Sequence, residues 1–137
     1  MIGRIIQTPE CVAEGVRWLC DRDPVLARAY TETGPVPLRR KPDGFGQLLN
    51  AIVSQQVSVA SANAIWARMV AVGLDDPARV LALSEEELRA LGLSRQKARY
   101  AHALAGAGID YAALQHAPDP QVIATLTAVT GIGVWTA

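Results

Sequence analysis

The chain reads as a succession of short amphipathic segments, each opened by a capping residue. Apolar residues recur at three- and four-residue intervals, as one face of a helix requires, while runs of alternating polarity are scarce. Thr8-Pro9 predicts the first helix: threonine can cap, and proline fits the first turn, where its missing N–H costs nothing. Val12, Val16 and Leu19 then share a face, and Asp23-Pro24 repeats the start signal for a second helix ending near Gly34. Gly34 to Lys41, with Pro35, Pro37 and the basic run Arg39-Arg40-Lys41, predicts a linker. Asp43 is expected to cap a third helix carrying the stripe Phe45, Leu48, Leu49, Ile52 and Val53.

Beyond the polar interruption Ser54-Gln55-Gln56, a fourth helix places Ala62, Ile65, Met69 and Val72 on one side. Asp76-Pro77 starts a short fifth, and Ser84 with Glu87 forms the capping box of a sixth that ends at Gly92. Ser94 starts a seventh, running to the neighbourhood of Ala105, and Asp110 a further short turn. Asp119-Pro120 predicts a last helix with Val122, Ile123, Leu126 and Val129 inward, followed by Thr130-Gly131-Ile132-Gly133 and the start of another helix. The fold class is all-α, an array of short helices.

Composition refines this picture. Half of the 137 residues are apolar, which suits a domain with a real core and excludes disorder. Thirteen basic and thirteen acidic residues cancel. A nucleic-acid protein usually carries a basic surplus, because phosphate contacts supply much of its affinity. Any such function here needs a grip that does not rely on side-chain charge. Cys11 and Cys20 fall on one predicted helix, nine residues apart, too far to bridge without distorting it. They predict core fillers in a reducing compartment. No stretch resembles a signal peptide or a membrane span, so a soluble, cytoplasmic protein without membrane partners is expected.

The candidate chemistry lies near the end. A helix, then Gly131-Ile132-Gly133, then a new helix start is the pattern of a helix-hairpin-helix element. Glycine lets the chain reverse tightly and expose its amides. The N–H groups opening the second helix then face outward with the positive end of its dipole behind them, a small site for an anion such as a DNA phosphate. This grip uses backbone, which answers part of the objection from net charge. A helix stop at Gly131 and plain flexibility at Gly133 account for the glycines equally well.

Three segments add a family resemblance. Gly44-Phe45-Gly46-Gln47-Leu48-Leu49-Asn50-Ala51-Ile52-Val53-Ser54-Gln55-Gln56-Val57-Ser58 resembles the opening of the glycosylase domain in DNA-3-methyladenine glycosylases of the helix-hairpin-helix (HhH-GPD) superfamily. So does Leu88-Arg89-Ala90-Leu91-Gly92-Leu93-Ser94-Arg95-Gln96-Lys97-Ala98. The stretch from Leu126 to Ala137, with Gly131-Ile132-Gly133-Val134-Trp135-Thr136-Ala137, is similar to that family's hairpin. The segments occur in the family's order, and the resemblance spans most of the chain, from residue 9 to residue 137.

The resemblance implies base-excision repair on double-stranded DNA carrying an alkylated base such as 3-methyladenine. Such enzymes flip the damaged nucleotide, at a cost of a few kcal/mol, and hydrolyse its N-glycosidic bond. By position Gln56 is the expected intercalating wedge, with Gln55 beside it; read on spacing alone, both simply lie in a polar connection between helices. Thr130, Gly131, Ile132 and Gly133 would meet a phosphate through the hairpin backbone. Relatives that also nick the strand carry a Schiff-base lysine where this chain has Trp135, so a monofunctional type is implied. The Trp135 indole would stack on a flipped cationic purine, or pack as core beneath the hairpin, or both. No cofactor is implied beyond a monovalent cation, Na or K, held by the carbonyls of Thr127, Val129 and Ile132.

In domain terms, residues 1–34 form N-terminal helices expected to pack on helices beyond Ala137, and residues 35–137 the main part of a glycosylase barrel ending in the hairpin. The family's catalytic aspartate would lie beyond Ala137. Asp110 and Asp119 read as caps, Asp75 and Asp76 as loop residues, and Glu85, Glu86 and Glu87 as a first helical turn. The 137 residues are therefore expected to be an incomplete form of the fold without glycosylase activity of their own. From Pro120 to Ala137 there is no charged side chain, which predicts self-association; light scattering from a clean monomer at high concentration would sink that idea. A non-catalytic helix-hairpin-helix DNA-binding module is the alternative function, and a purely structural helical domain the third.

Overall fold

The computed structural model describes residues 4–137, and among them every regular element is an α-helix. They fall into two compact units, one of the residues up to Lys41 and one of Pro42–Ala137. The division falls at the far end of the expected linker, on the Lys41–Pro42 bond.

The first unit is a pair of helices, α1 (Pro9–Cys20) and α2 (Pro24–Thr33), packed on each other. Thr8 has the extended backbone of a cap but its side chain makes no capping bond, whereas the Asp23 carboxylate accepts from the Val25 and Leu26 amides. Neither helix buries a single residue, and Trp18, Leu19, Val25 and Leu26 all stand exposed. The cysteines accordingly do not fill a core: both are only half-buried free thiols, and the Cys11 sulfur accepts from Arg4 and Thr8. Surface contacts brace α1 and its flanks, including an Arg4–Glu14 ion pair at 2.8 Å and the Arg22 guanidinium 3.9 Å above the Trp18 ring. Exposed contacts of this kind contribute about 1 kcal/mol or less each.

The second unit holds the core. In chain order it contains α3 (Phe45–Ser54), α4 (Val59–Ala71), α5 (Pro77–Ala82), α6 (Glu85–Ala90), α7 (Arg95–Gly106), α8 (Tyr111–Leu114) and α9 (Asp119–Thr127). Helix α7 is the hub, packing against α3, α5 and α6, and α3 packs in turn on α4. Its inward face is Ala98, Ala101, Leu104 and Ala105; three alanines let neighbouring backbones come close. Leu49, Ile52 and Val53 of α3, Met69 of α4, Val80 of α5 and Leu88 of α6 are fully buried around it. Leu126, Val129 and Ile132 extend the same cluster beneath the hairpin. Truncating one of the larger of these side chains to alanine would cost about 2–5 kcal/mol.

Most start signals act as the sequence predicts. Asp76, Ser84, Ser94 and Asp110 each accept a hydrogen bond from the first turn of the helix they open, and Ser84 with Glu87 completes both halves of a capping box; Ser58, not among the expected caps, caps α4 in the same way. Two differ. Gly44, not Asp43, occupies the cap position of α3, and the Asp43 carboxylate instead accepts from Gln115 Nε2 at 2.9 Å. Helix α9 begins one residue early, with Pro118 as cap and Asp119 already inside the first turn. There its charge still complements the helix dipole. Two residues expected inward are exposed: Ile123 on α9, and Val72, which caps α4 beyond its last full turn.

Candidate functional site

Two chain reversals face each other in the second unit: the connection between α3 and α4, and the hairpin after α9. Between them lies a groove of about 340 Å³ whose lining includes Gln55, Gln56, Gln96, Lys97, Tyr100 and Gly131.

The first reversal follows the end of α3. Gln55 leaves the helix with φ −62° and ψ 131°, and Gln56 follows at φ 55°. The Gln55 angles and the positive φ at Gln56 match a type II turn, whose second central position normally goes to glycine. Gln56 is the one non-glycine residue with positive φ among the described residues. Such a conformation costs about 1–3 kcal/mol and persists only where the surroundings impose it. The surroundings here are two side chains. Lys97 Nζ donates to Val53 O at 2.7 Å and to Gln55 O at 2.6 Å, taking up carbonyls that the helix end leaves unpaired. Gln55 Nε2 donates to Gly131 O at 3.3 Å, joining the turn to the hairpin. Lys97 is half-buried, and that burial holds its pKa below the usual lysine value. The side chain of Gln56 is left exposed at the groove.

The second reversal is built on an absence of side chain. Gly131 has φ +98°, and a Cβ there would lie 2.4–2.8 Å from Tyr100 atoms, the ring included. Tyr100 is fixed in turn by Gln96, whose amide donates to its hydroxyl. Ile132 buries its side chain and directs its N–H inward to Val129 O at 3.1 Å. From Gly133 onward a helical turn begins, with the Thr136 and Ala137 amides both donating to Gly133 O at 3.0 Å. The amides of Gly133, Val134 and Trp135 donate to no acceptor among the described residues. A Cβ on Gly133 would meet nothing within 4 Å. Unlike Gly131, it leaves open space outside the fold.

Trp135 is completely exposed, so among the described residues it does not pack as core beneath the hairpin. Lys97 and Tyr100 are the members of the site that sequence reasoning missed. The type II turn gave no sequence signal either, since glutamine occupies the position where glycine would announce it. A second, wider groove of about 570 Å³ runs between the end of α7 and α9, with Asp110 on its wall; that carboxylate caps α8 by accepting from Ala113 N. Among the described residues no three His, Cys, Asp or Glu side chains converge as a metal site would need, and no helix is long and apolar enough to cross a membrane.

A family model described as HhH-GPD superfamily base excision DNA repair protein matches residues 49–131, more than half of the chain and both sides of the groove. The chain belongs to the HhH-GPD superfamily. Three solved members share its fold. It is 33% identical to a DNA-3-methyladenine glycosidase from Bacillus halodurans over 88% of its own length and 59% of that chain, with a TM-score of 0.74. It is 26% identical to the 3-methyladenine DNA glycosylase Mag1 of Schizosaccharomyces pombe, solved with abasic DNA, over 90% of its length and 66% of that chain, with a TM-score of 0.75. The 3-methyladenine DNA glycosylase of Archaeoglobus fulgidus is 26% identical over 95% of this chain and 48% of that one, with a TM-score of 0.74. This HhH-GPD chain thus spans about half to two thirds of the length of those proteins. No curated protein matches it in sequence.

Proposed function

We propose that this chain carries the DNA-engaging face of a monofunctional base-excision glycosylase that removes alkylated purines such as 3-methyladenine from duplex DNA. The observation that carries the reading is the Gln55–Gly131 hydrogen bond, which couples the exposed Gln56 turn to the hairpin across one groove. Family membership and the three solved glycosylases support it.

In this reading the hairpin receives a backbone phosphate. The unpartnered amides of Gly133, Val134 and Trp135 point toward it, with Thr130, Gly131 and Ile132 shaping their approach. Neutral amides suit a chain whose formal charges cancel. Gln56 is the wedge that fills the stack when a nucleotide leaves it, and its amide can bond to the orphaned opposite base. Gln55 holds the turn that presents it. Trp135 offers an indole to a flipped cationic purine, an attraction of about 0.5–2 kcal/mol depending on desolvation. No lysine stands at that position, which supports hydrolysis without strand cleavage.

The monovalent-cation expectation also belongs here. The Thr127 and Ile132 carbonyls accept no hydrogen bond among the described residues, and Val129 O accepts one and keeps a second lone pair. Three neutral carbonyl oxygens fit Na or K rather than a transition metal. A cation there would add positive charge beneath the hairpin. Free Cys11 and Cys20 suit the reducing cytoplasm.

The groove lining contains no carboxylate, and an oxocarbenium-like sugar cation needs one nearby. The 137 residues alone are therefore expected to bind duplex DNA without releasing a base. The test is release of 3-methyladenine from alkylated duplex, run beside salt-dependent duplex binding. Binding without release supports the reading. Release by these residues would bring Asp110 or Asp119 back as the catalytic group. No salt-dependent binding at all would refute the DNA function.

A further inference from the structure

Types I and II of a four-residue turn differ by a flip of the central peptide, which reverses the direction of one carbonyl and the sign of φ at the next residue. In the turn after α3 that carbonyl is Gln55 O and that next residue is Gln56, held at φ 55°. Glutamine has no intrinsic reason to adopt it, since a Cβ disfavours the left-handed region. The flipped orientation needs a donor on the side to which Gln55 O points.

Lys97 supplies that donor. It sits on the first turn of α7, where Ser94 accepts from the Lys97 amide and so fixes the residue's backbone. Its ammonium reaches across to α3 and binds the two carbonyls on either side of Ser54, Val53 O and Gln55 O. The first bond anchors the ammonium to the helix end, and the second points the turn's central carbonyl toward it. The Ala98 that follows is fully buried in the core, so the lysine stem leaves a rigid base. Gln55 then completes the arrangement from the other end by donating to Gly131 O.

We infer that Lys97 is a positioning residue that holds the Gln55–Gln56 peptide in its flipped state and thereby presents the Gln56 side chain to DNA. Without it the peptide relaxes to the type I orientation, φ at Gln56 becomes negative, and the side chain leaves the groove face. The inference rests on the DNA-binding reading for its consequence, and on the turn geometry alone for its cause.

The experiment uses the whole chain with Lys97→Met, which keeps most of the stem and removes the ammonium. Two readouts are taken: the strong intraresidue amide-to-Hα NOE that marks positive φ at Gln56, and affinity for a duplex carrying an abasic-site analogue. The expected result is loss of the NOE signature and roughly a five- to tenfold loss of affinity, the size of one lost contact. Lys97→Arg, which can still donate to both carbonyls, is expected to recover much of both. A native-strength NOE in Lys97→Met overturns the inference, as does a lost NOE with unchanged affinity. If Lys97→Met does not fold, the same change is made with Gln56→Gly, because glycine takes positive φ unaided. Recovery of folding supports a role confined to the turn, and continued failure assigns Lys97 to general packing and overturns it. A native chain that binds no duplex would refute the DNA function separately, while the NOE still decides the clamp.

Discussion

Two positive-φ residues face the same groove, and they reach that conformation by opposite means. Gly131 adopts φ +98° because it has no Cβ and because Tyr100 leaves no room for one. Gln56 adopts φ 55° in spite of its side chain, with Lys97 and Gln55 spending hydrogen bonds to keep the turn in place. A hairpin that needs only its backbone can afford glycine. A turn that must also present a long amide cannot, and so it needs an external clamp. The contrast separates a residue chosen for fit inside the molecule from one chosen for what it shows outside.

The sharpest way to break this contrast is Gly131→Ala. The new methyl would meet Tyr100 atoms at 2.4–2.8 Å, under an already strained φ. Overpacking and left-handed strain together predict a loss of about 3 kcal/mol or more, read from the midpoint of urea unfolding. Weaker duplex binding by this variant would say nothing about phosphate contact, because the fold itself has changed. Pairing it with Tyr100→Ala should return part of the loss, since ring carbons are the nearest atoms the methyl strikes, while the Tyr100 Cβ at 2.8 Å remains.

The difference between the two residues also marks what the sequence can disclose. Caps are local, so Ser84 with Glu87, Asp23, Asp76 and Ser94 were readable from neighbours two or three positions away. Asp43 resembled a cap equally well but was drawn off by Gln115, 72 residues further on. Gly131 announced a turn through its glycine, although Tyr100 as the reason for it could not be seen. The Gln56 turn announced nothing. Its determinants are Lys97, reaching back 42 residues, and Gly131, 76 residues from Gln55. The core was legible where a stripe is buried on one side, as in α3, and less so at the ends of helices, where Val72 and Ile123 face solvent. In the first unit Val12, Val16 and Leu19 share a face of α1 as the spacing predicts, yet none of them is buried among the described residues.

Gln56→Gly sharpens the same comparison with a smaller effect of opposite sign. Removing the side chain removes the strain, so stability should rise by about 1 kcal/mol, less the entropy that glycine loses on folding. Duplex affinity should fall at the same time, because the wedge is gone. A variant that loses stability instead would show that Gln56 is not held at positive φ in solution. The two effects must part company for the reading to stand, and measuring thermal unfolding beside duplex binding on one preparation is enough to see it.

The smallest change in stability is expected at Gly133, and it is the most informative about function. Its φ is not in the left-handed region, and a methyl there would touch nothing within 4 Å. Gly133→Ala should shift unfolding by no more than about 0.5 kcal/mol, and restricting the unfolded chain can make that shift favourable. Nothing inside the described fold therefore demands glycine. If the free amides of Gly133, Val134 and Trp135 receive a phosphate, the demand comes from outside, and the methyl will crowd the approaching oxygens. Duplex affinity should then fall several-fold, with a nearly unchanged slope against salt, because no side-chain charge has been removed. Equal affinity for Gly133→Ala and the native chain would mean that the hairpin amides do not carry the phosphate. Gly133 would then be a residue without a partner, and the Gln56 turn would be left to explain the DNA contact alone.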